Sequence, residues 1–162
     1  TRFGAKAGDP ARGLALGRAL AMTTYRSDVE FDSRFDHRVG ADQKRAAFPV
    51  ESYLGARGDD FARRFDADAF LRLSESIDLH DVDPLVWTVP TTLVSFDTDR
   101  LVPPWLVDEL AGAAPGVTRH VTVPSVFGHD AFLKEPGAVS RLIVEALESP
   151  DPLASGTREV AS

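Results

Sequence analysis

The chain has 162 residues, of which 43% are hydrophobic and 27% charged, and this composition predicts a soluble globular segment with its own core. A net charge of -7 argues against nucleic acid or an anionic membrane as a partner, because either would require a basic surface. The chain has no cysteine, no visible signal peptide and no apolar run near the roughly 20 residues that span a bilayer. These features suit a cytoplasmic protein.

The first predicted helix begins at Asp9-Pro10, where the aspartate can cap the helix and the proline occupies its first position. Apolar residues then recur at helical spacing, interrupted by Arg18. Because Arg18 and Tyr25 are seven residues apart, they share one helix face about two turns, or roughly 10 Å, apart. An arginine inside an apolar stripe is unexpected and marks a candidate binding residue.

Two further helices are predicted, one over residues 50–66 that follows Pro49 and one over residues 67–79 that Asp66 and Asp68 can cap. The polar segment over residues 27–49 has the composition of turns. No strand is predicted before residue 80. The first half of the chain is therefore predicted to be helical.

The second half alternates strands with helices. Residues 85–96 are nearly all apolar or threonine, as expected of a strand buried on both faces, although Pro90 suggests a later start. A helix follows Pro103-Pro104, a second strand covers Val117–Val123, and Pro136 begins a last amphipathic helix. Residues 149–162 have a tail-like composition.

Each predicted strand is followed by a turn with an ionisable residue, Asp99 after the first and His129 after the second. The carboxyl ends of neighbouring parallel strands meet at one edge of an α/β sheet, so this pair can come together there. An acid and a histidine in that chain order are two members of a Ser-Asp-His triad. A surface aspartate and an unrelated loop histidine remain the simpler alternative.

Other residues compete for these roles. Asp97 is a second acid that could instead cap the turn. The three remaining histidines are expected to face solvent, and their spacing argues against a metal site: His37, His80 and His120. Thr1 is a candidate amino-terminal nucleophile, but its flanking sequence is too polar for the strand that such enzymes use.

The nucleophile of the triad is missing. The G-x-S-x-G pattern does not occur. Four serines lack the sequence context of a strand-to-helix elbow: Ser27, Ser52, Ser95 and Ser125.

Four segments, GLALGRALAMTTYRS, VESYLGARGDDFARRFDADAFLRLSESIDLHDV, SFDTDRLVPP and GHDAFLKE, resemble the homoserine O-acyltransferases of the α/β-hydrolase superfamily, in the order of that family. The resemblance implies an α/β fold in which this chain is the C-terminal half of an α/β-hydrolase. Residues 1–84 would form a helical lid and dimerisation region, and residues 85–148 the end of the catalytic core. Residues 149–162 would form the tail.

The resemblance also implies site residues. Asp99, rather than Asp97, corresponds to the triad acid and His129 to the base. Asp130 corresponds to the residue that binds the substrate ammonium. Arg18 and Tyr25 correspond to the pair that binds the substrate carboxylate, which agrees with the preference of a guanidinium for carboxylates. The alternative for Arg18 is a guanidinium that reaches water from an apolar face.

By resemblance, the enzyme needs no permanently bound cofactor or metal. It uses acetyl-CoA or succinyl-CoA as co-substrate and makes an O-acylhomoserine for methionine biosynthesis. The short connection at residues 83–90 is nearer to the succinyl-transferring branch.

The nucleophilic serine is expected on a companion chain or N-terminal segment, and the complete enzyme is expected to be a homodimer. Serine O-acyltransferase, esterase and a non-catalytic lid or dimerisation module are the alternative functions.

Overall fold

The computed structural model describes residues 8–35, 37–38 and 48–148, which divide into two compact units. The first unit contains the described residues up to Asp81, apart from the turn Tyr25–Ser27. That turn belongs to the second unit, together with the chain from Val82 onward.

Four helices are described in the first half of the chain. They are α1 (Pro10–Tyr25), α2 (Asp28–Arg34), α3 (Pro49–Arg64) and α4 (Ala67–Asp78). The predicted helices α1, α3 and α4 are confirmed. The prediction of turns was wrong for α2, a seven-residue helix with acidic residues in its first turn and Arg34 in its last, an arrangement that complements the helix dipole.

Side-chain caps explain where two of these helices begin. Asp9 Oδ1 accepts a hydrogen bond from the Arg12 backbone N–H at 3.1 Å, and Asp66 Oδ1 accepts one from Ala69 N–H at 2.9 Å. Each bond satisfies an amide that has no partner within its helix. Both predicted caps are confirmed.

Helices α1 and α3 pack closely against each other in the first unit. Gly58 on α3 is buried, and a Cβ built on it would lie 2.4 Å from the Ala15 carbonyl oxygen on α1. Only glycine permits this backbone contact. The rings of Phe61 and Phe70 extend the packing to α4, with centroids 5.7 Å apart.

The second unit contains a two-stranded parallel sheet. Its strands are β1 (Thr91–Phe96) and β2 (Val117–Val123), which α5 (Pro104–Ala113) connects. The strand predicted over residues 85–96 is therefore shorter than expected. Pro84–Val86 forms a 3₁₀ turn, and β1 begins directly after Pro90, as the alternative start suggested.

Helices cover both faces of this sheet. His120 on β2 contacts Asp108 of α5, whereas the adjacent Arg119 contacts Glu145 of the last helix, α7 (Pro136–Glu148). Adjacent strand residues point to opposite faces, so α5 and α7 lie on opposite sides. A 3₁₀ turn, Gly128–Asp130, and the short helix α6 (Ala131–Lys134) lie between β2 and α7.

The second half is thus a β-α-β-α arrangement with parallel strands, and the predicted α/β class is confirmed at that level. None of the helices in the described ranges has the length and apolar character needed to cross a membrane. The predicted tail lies outside the described residues.

The contact at Gly58 generates a stability prediction. Replacing Gly58 by Ala forces α1 and α3 apart, and we expect a loss of about 1–3 kcal/mol in the free energy of unfolding. Gly112→Ala on α5 is the control, since its Cβ meets nothing within 4 Å. That control is expected to gain about 0.5–1 kcal/mol from helix propensity. Urea unfolding measures both changes, and equal midpoints for the two variants would contradict the packing at Gly58.

Candidate active site

Two loops at the carboxyl ends of β1 and β2 form the candidate site. Phe96 and Val123 are paired at the ends of the strands, so the chain leaves both strands at the same edge of the sheet. The His129 Nδ1 lies 2.8 Å from Asp99 Oδ2. The structure therefore brings together the acid and histidine that the sequence singled out.

Asp99 is held by its own loop as well as by the histidine. It is 7% exposed, and its Oδ1 accepts hydrogen bonds from the backbone N–H groups of Leu101 and Val102, both at 2.9 Å. A carboxylate only accepts hydrogen bonds, so His129 Nδ1–H is the donor to Oδ2. This tautomer leaves Nε2 with a lone pair, as a general base requires.

His129 lies near two aromatic rings and beside a pocket. Its ring centroid is 5.7 Å from that of Tyr25 and 6.2 Å from that of Phe132, and its side chain is 32% exposed. A pocket of about 240 Å³ borders the pair, and its lining residues are Val94, Ser95, Phe96, Asp99, Val102, Val107, His129 and Phe132. The imidazole is thus oriented but accessible.

Further hydrogen bonds join the loop after β1 (residues 97–103, the acid loop) to the loop after β2 (residues 124–130, the histidine loop). Asp97 Oδ1 accepts from the Ser125 backbone N–H at 2.9 Å. Thr98 Oγ1 donates to the Ser125 carbonyl at 2.5 Å and accepts from Gly128 N–H at 3.1 Å. The rival acid Asp97 therefore connects the two loops, while Asp99 binds the histidine. Sequence reasoning missed the role of Thr98, whose only signal is its position between the two aspartates.

The expected acceptor-binding residues fall in both units. Tyr25 and Asp130 belong to the second unit, where the Tyr25 ring lies near that of His129 and Asp130 directly follows His129 in the chain. Arg18 belongs to the first unit, where its guanidinium lies 5.4 Å from the centre of the Phe61 ring. Helix α1 contains both Arg18 and Tyr25, as predicted.

One of the remaining histidines differs from expectation. His37 and His80 are exposed as predicted, but the prediction was wrong for His120, whose side chain is only 13% exposed. Its Nδ1 lies 2.8 Å from Asp108 Oδ1 and its Nε2 2.8 Å from Ser95 Oγ. The packing of α5 on the sheet buries this histidine, which a local sequence pattern cannot indicate.

Three of the four candidate serines make hydrogen bonds elsewhere in the fold. Ser27 donates to the Val126 carbonyl, Ser125 donates to Glu135, and Ser95 is bonded to His120 within the sheet. Among the described residues, no group of three or more His, Asp and Glu side chains could hold a metal ion. Chemically, the site therefore supplies an oriented acid–base pair.

Proteins of known activity resemble this chain in sequence. A homoserine O-succinyltransferase of Xanthomonas campestris is 44% identical over 85% of the chain, and a homoserine O-acetyltransferase of Mycobacterium leprae is 38% identical over 88%. The chain covers 37% and 40% of those relatives, so it spans about two fifths of their length. No family model matches the chain.

Solved structures agree on the fold. The homoserine O-acetyltransferase of Staphylococcus aureus superimposes with a TM-score of 0.66 at 26% identity, covering 96% of this chain and 48% of that one. The esterase E22 superimposes with a TM-score of 0.73 at 19% identity, covering 88% and 44%. The resemblance to homoserine O-acyltransferases is therefore confirmed.

The bridging role of Thr98 can be tested by a matched pair of variants. Thr98→Val keeps the side-chain shape but removes the hydroxyl that donates to the Ser125 carbonyl and accepts from Gly128 N–H. Because a buried amide without a hydrogen-bond partner costs about 1–3 kcal/mol, we expect the free energy of unfolding to fall by that amount. Thr98→Ser keeps the hydroxyl, so we expect its unfolding midpoint to stay within experimental scatter of the parent. Denaturant unfolding of both variants is the measurement. Equal losses would show that the methyl group, not the hydroxyl, carries the role.

Proposed function

We propose that this chain supplies the acid, the base and acceptor-binding residues of a homoserine O-acyltransferase that uses acetyl-CoA or succinyl-CoA. The observation that carries the proposal is the 2.8 Å hydrogen bond between His129 and Asp99, beside a pocket. The sequence similarity to homoserine O-succinyl- and O-acetyltransferases supports the choice of reaction.

The proposed reaction has two half-reactions at one serine. His129 Nε2 takes the serine proton as the serine oxygen attacks the thioester carbonyl, and the tetrahedral intermediate then releases coenzyme A, whose sulfur takes that proton. In the second half-reaction, His129 takes the proton of the homoserine hydroxyl, which attacks the acyl-serine ester. The proton returns to the serine as the O-acylhomoserine leaves. Asp99 stabilises the imidazolium formed in each half-reaction.

We assign the serine to a companion segment or chain. In the described part of the chain, β1 pairs with β2 on one edge only, so its other edge offers unpaired backbone groups. Val94 on this strand is 37% exposed, although parallel strands are normally buried on both faces. A further strand on this edge would bring a neighbouring loop to the pocket beside His129.

Two charged residues are proposed to bind the acceptor zwitterion, each by one of its charged groups. Asp130 follows the base and suits the ammonium, while the Arg18 guanidinium suits the carboxylate through two parallel hydrogen bonds. Tyr25, next to the imidazole, would complete the acceptor subsite.

Residues 1–84 would act as a lid and pair two copies of the complete enzyme. A groove on α1 and α3 supports the pairing, because small side chains line it and allow close helix approach: Ala11, Ala15, Ala19, Gly55 and Ala62. Leu16, at its side, is 63% exposed and would be covered by a second copy.

The acid–base assignment predicts unequal effects of two neighbouring aspartates. Asp99→Asn places an amide against His129 Nδ1 and favours the wrong tautomer, so we expect kcat to fall about 10³–10⁴-fold. Asp97→Asn is the matched control, since its amide oxygen can still accept from Ser125 N–H, and kcat should stay within a few-fold. The measurement is coenzyme A release with homoserine, in protein completed by the serine-bearing segment.

Two results would refute this assignment. Equal activity of Asp99→Asn and the parent would remove Asp99 from the reaction. Release of free acid without any need for homoserine would instead identify an esterase.

The role of Arg18 is tested by separating the two substrates. Arg18→Ala should raise the KM for homoserine about tenfold or more, since one charge-assisted hydrogen bond is worth about 1.5–3 kcal/mol, and leave the KM for acyl-CoA unchanged. Arg57→Ala is the control, because Arg57 also lies over an aromatic ring of the first unit, Tyr53, at 5.5 Å. Equal increases in both Michaelis constants would count against carboxylate binding.

A further inference from the structure

The turn Tyr25–Ser27 packs against the histidine loop. The Tyr25 ring centroid lies 5.7 Å from that of His129, the Arg26 guanidinium lies 3.5 Å from Asp130 Oδ2, and the Ser27 hydroxyl donates to the Val126 carbonyl. Ser27 is fully buried. Three consecutive residues therefore contact the loop that contains the proposed base.

Backbone packing fixes this arrangement. Gly128 has a φ of +60°, and a Cβ built on it would lie 2.8 Å from the Ser27 nitrogen and 2.9 Å from the Arg26 carbonyl carbon. Only glycine fits both the left-handed conformation and the contact. The backbone of Arg26 is thus held against the histidine loop independently of its side chain.

The Arg26 side chain is placed to act on Asp130. The two side chains are 11% and 23% exposed, so water screens their attraction less than at an exposed pair. The Arg26 Nη2 lies within ion-pair distance of the Asp130 oxygen Oδ2. An ion pair at this distance restricts the two side-chain torsions of the aspartate.

We infer that Arg26 is a positioning residue for the acceptor subsite, which holds Asp130 in the orientation that binds the ammonium of a hydroxy amino acid. Arg26 then determines acceptor specificity through Asp130 without touching the acceptor, and it does not affect the acyl donor. This inference rests on the proposed acyl transfer.

Arg26→Met tests the inference, because methionine keeps much of the side-chain volume and removes the charge. In protein completed by the serine-bearing segment, we expect the KM for homoserine to rise about tenfold, which corresponds to about 1.4 kcal/mol, with the KM for acyl-CoA within twofold of the parent. Arg119→Met is the matched control, since it breaks an arginine–glutamate pair between β2 and α7. It should change neither constant.

A double-mutant cycle separates positioning from general damage. In an Asp130→Asn background, Arg26→Met should raise the homoserine KM no further, because the carboxylate that it positions is gone. With 4-hydroxybutyrate, which lacks the amino group, Arg26→Met should leave kcat/KM within twofold of the parent. Arg26→Lys retains a charge with shorter reach and should recover part of the homoserine KM.

Additive effects of Arg26→Met and Asp130→Asn would overturn the inference, as would equal losses with homoserine and 4-hydroxybutyrate. If Arg26→Met does not fold, Arg26→Lys and Arg26→Gln provide the same comparison. Failure of the proposed function is a separate result, since the parent enzyme itself would then transfer no acyl group to homoserine.

Discussion

The hydrogen bond between His129 and Asp99 depends on the parallel pairing of β1 and β2. In a parallel pair both strands end at the same edge, so loops about 30 residues apart in sequence can meet there. An antiparallel pair would place the two loops at opposite ends. The crossover through α5 is therefore as necessary to the site as the acid and base themselves, and Asp97 and Thr98 then fix the spacing of the loops.

Much of this arrangement was predictable because its signals are local. Prolines determine where β1, α5 and α7 begin, and aspartates cap α1 and α4, so the element order follows from the chain itself. Helix α2 was missed because its stability comes from charges at its ends rather than from an apolar stripe. Local signals were not sufficient to predict the site, because they could not distinguish Asp97 from Asp99, two residues away, as the partner of the histidine. Only the family resemblance favoured Asp99.

Contacts that the sequence could not predict are those between distant segments. Ser27 and Val126 are 99 positions apart, and nothing near either residue indicates that they are hydrogen-bonded. The same applies to Arg26 and Asp130. The sequence of a polar turn between two helices predicts a solvent-exposed connection, whereas here tertiary packing buries Ser27 against another loop. Buried turns of this kind gain their positions from tertiary contacts, and a reading of periodicity and caps does not detect them.

The described residues contain two hydrogen-bonded acid–histidine pairs, Asp108–His120 and Asp99–His129, and burial distinguishes them. Ser95, His120 and Asp108 are connected by two hydrogen bonds of 2.8 Å, a better-connected set than the pair at Asp99. However, Ser95 is 4% exposed and the His120 side chain 13%, although Ser95 lines the pocket beside His129. The His129 side chain is 32% exposed and borders the same pocket. Hydrogen-bond geometry alone would favour His120, whereas exposure favours His129 as the imidazole available to act as a base.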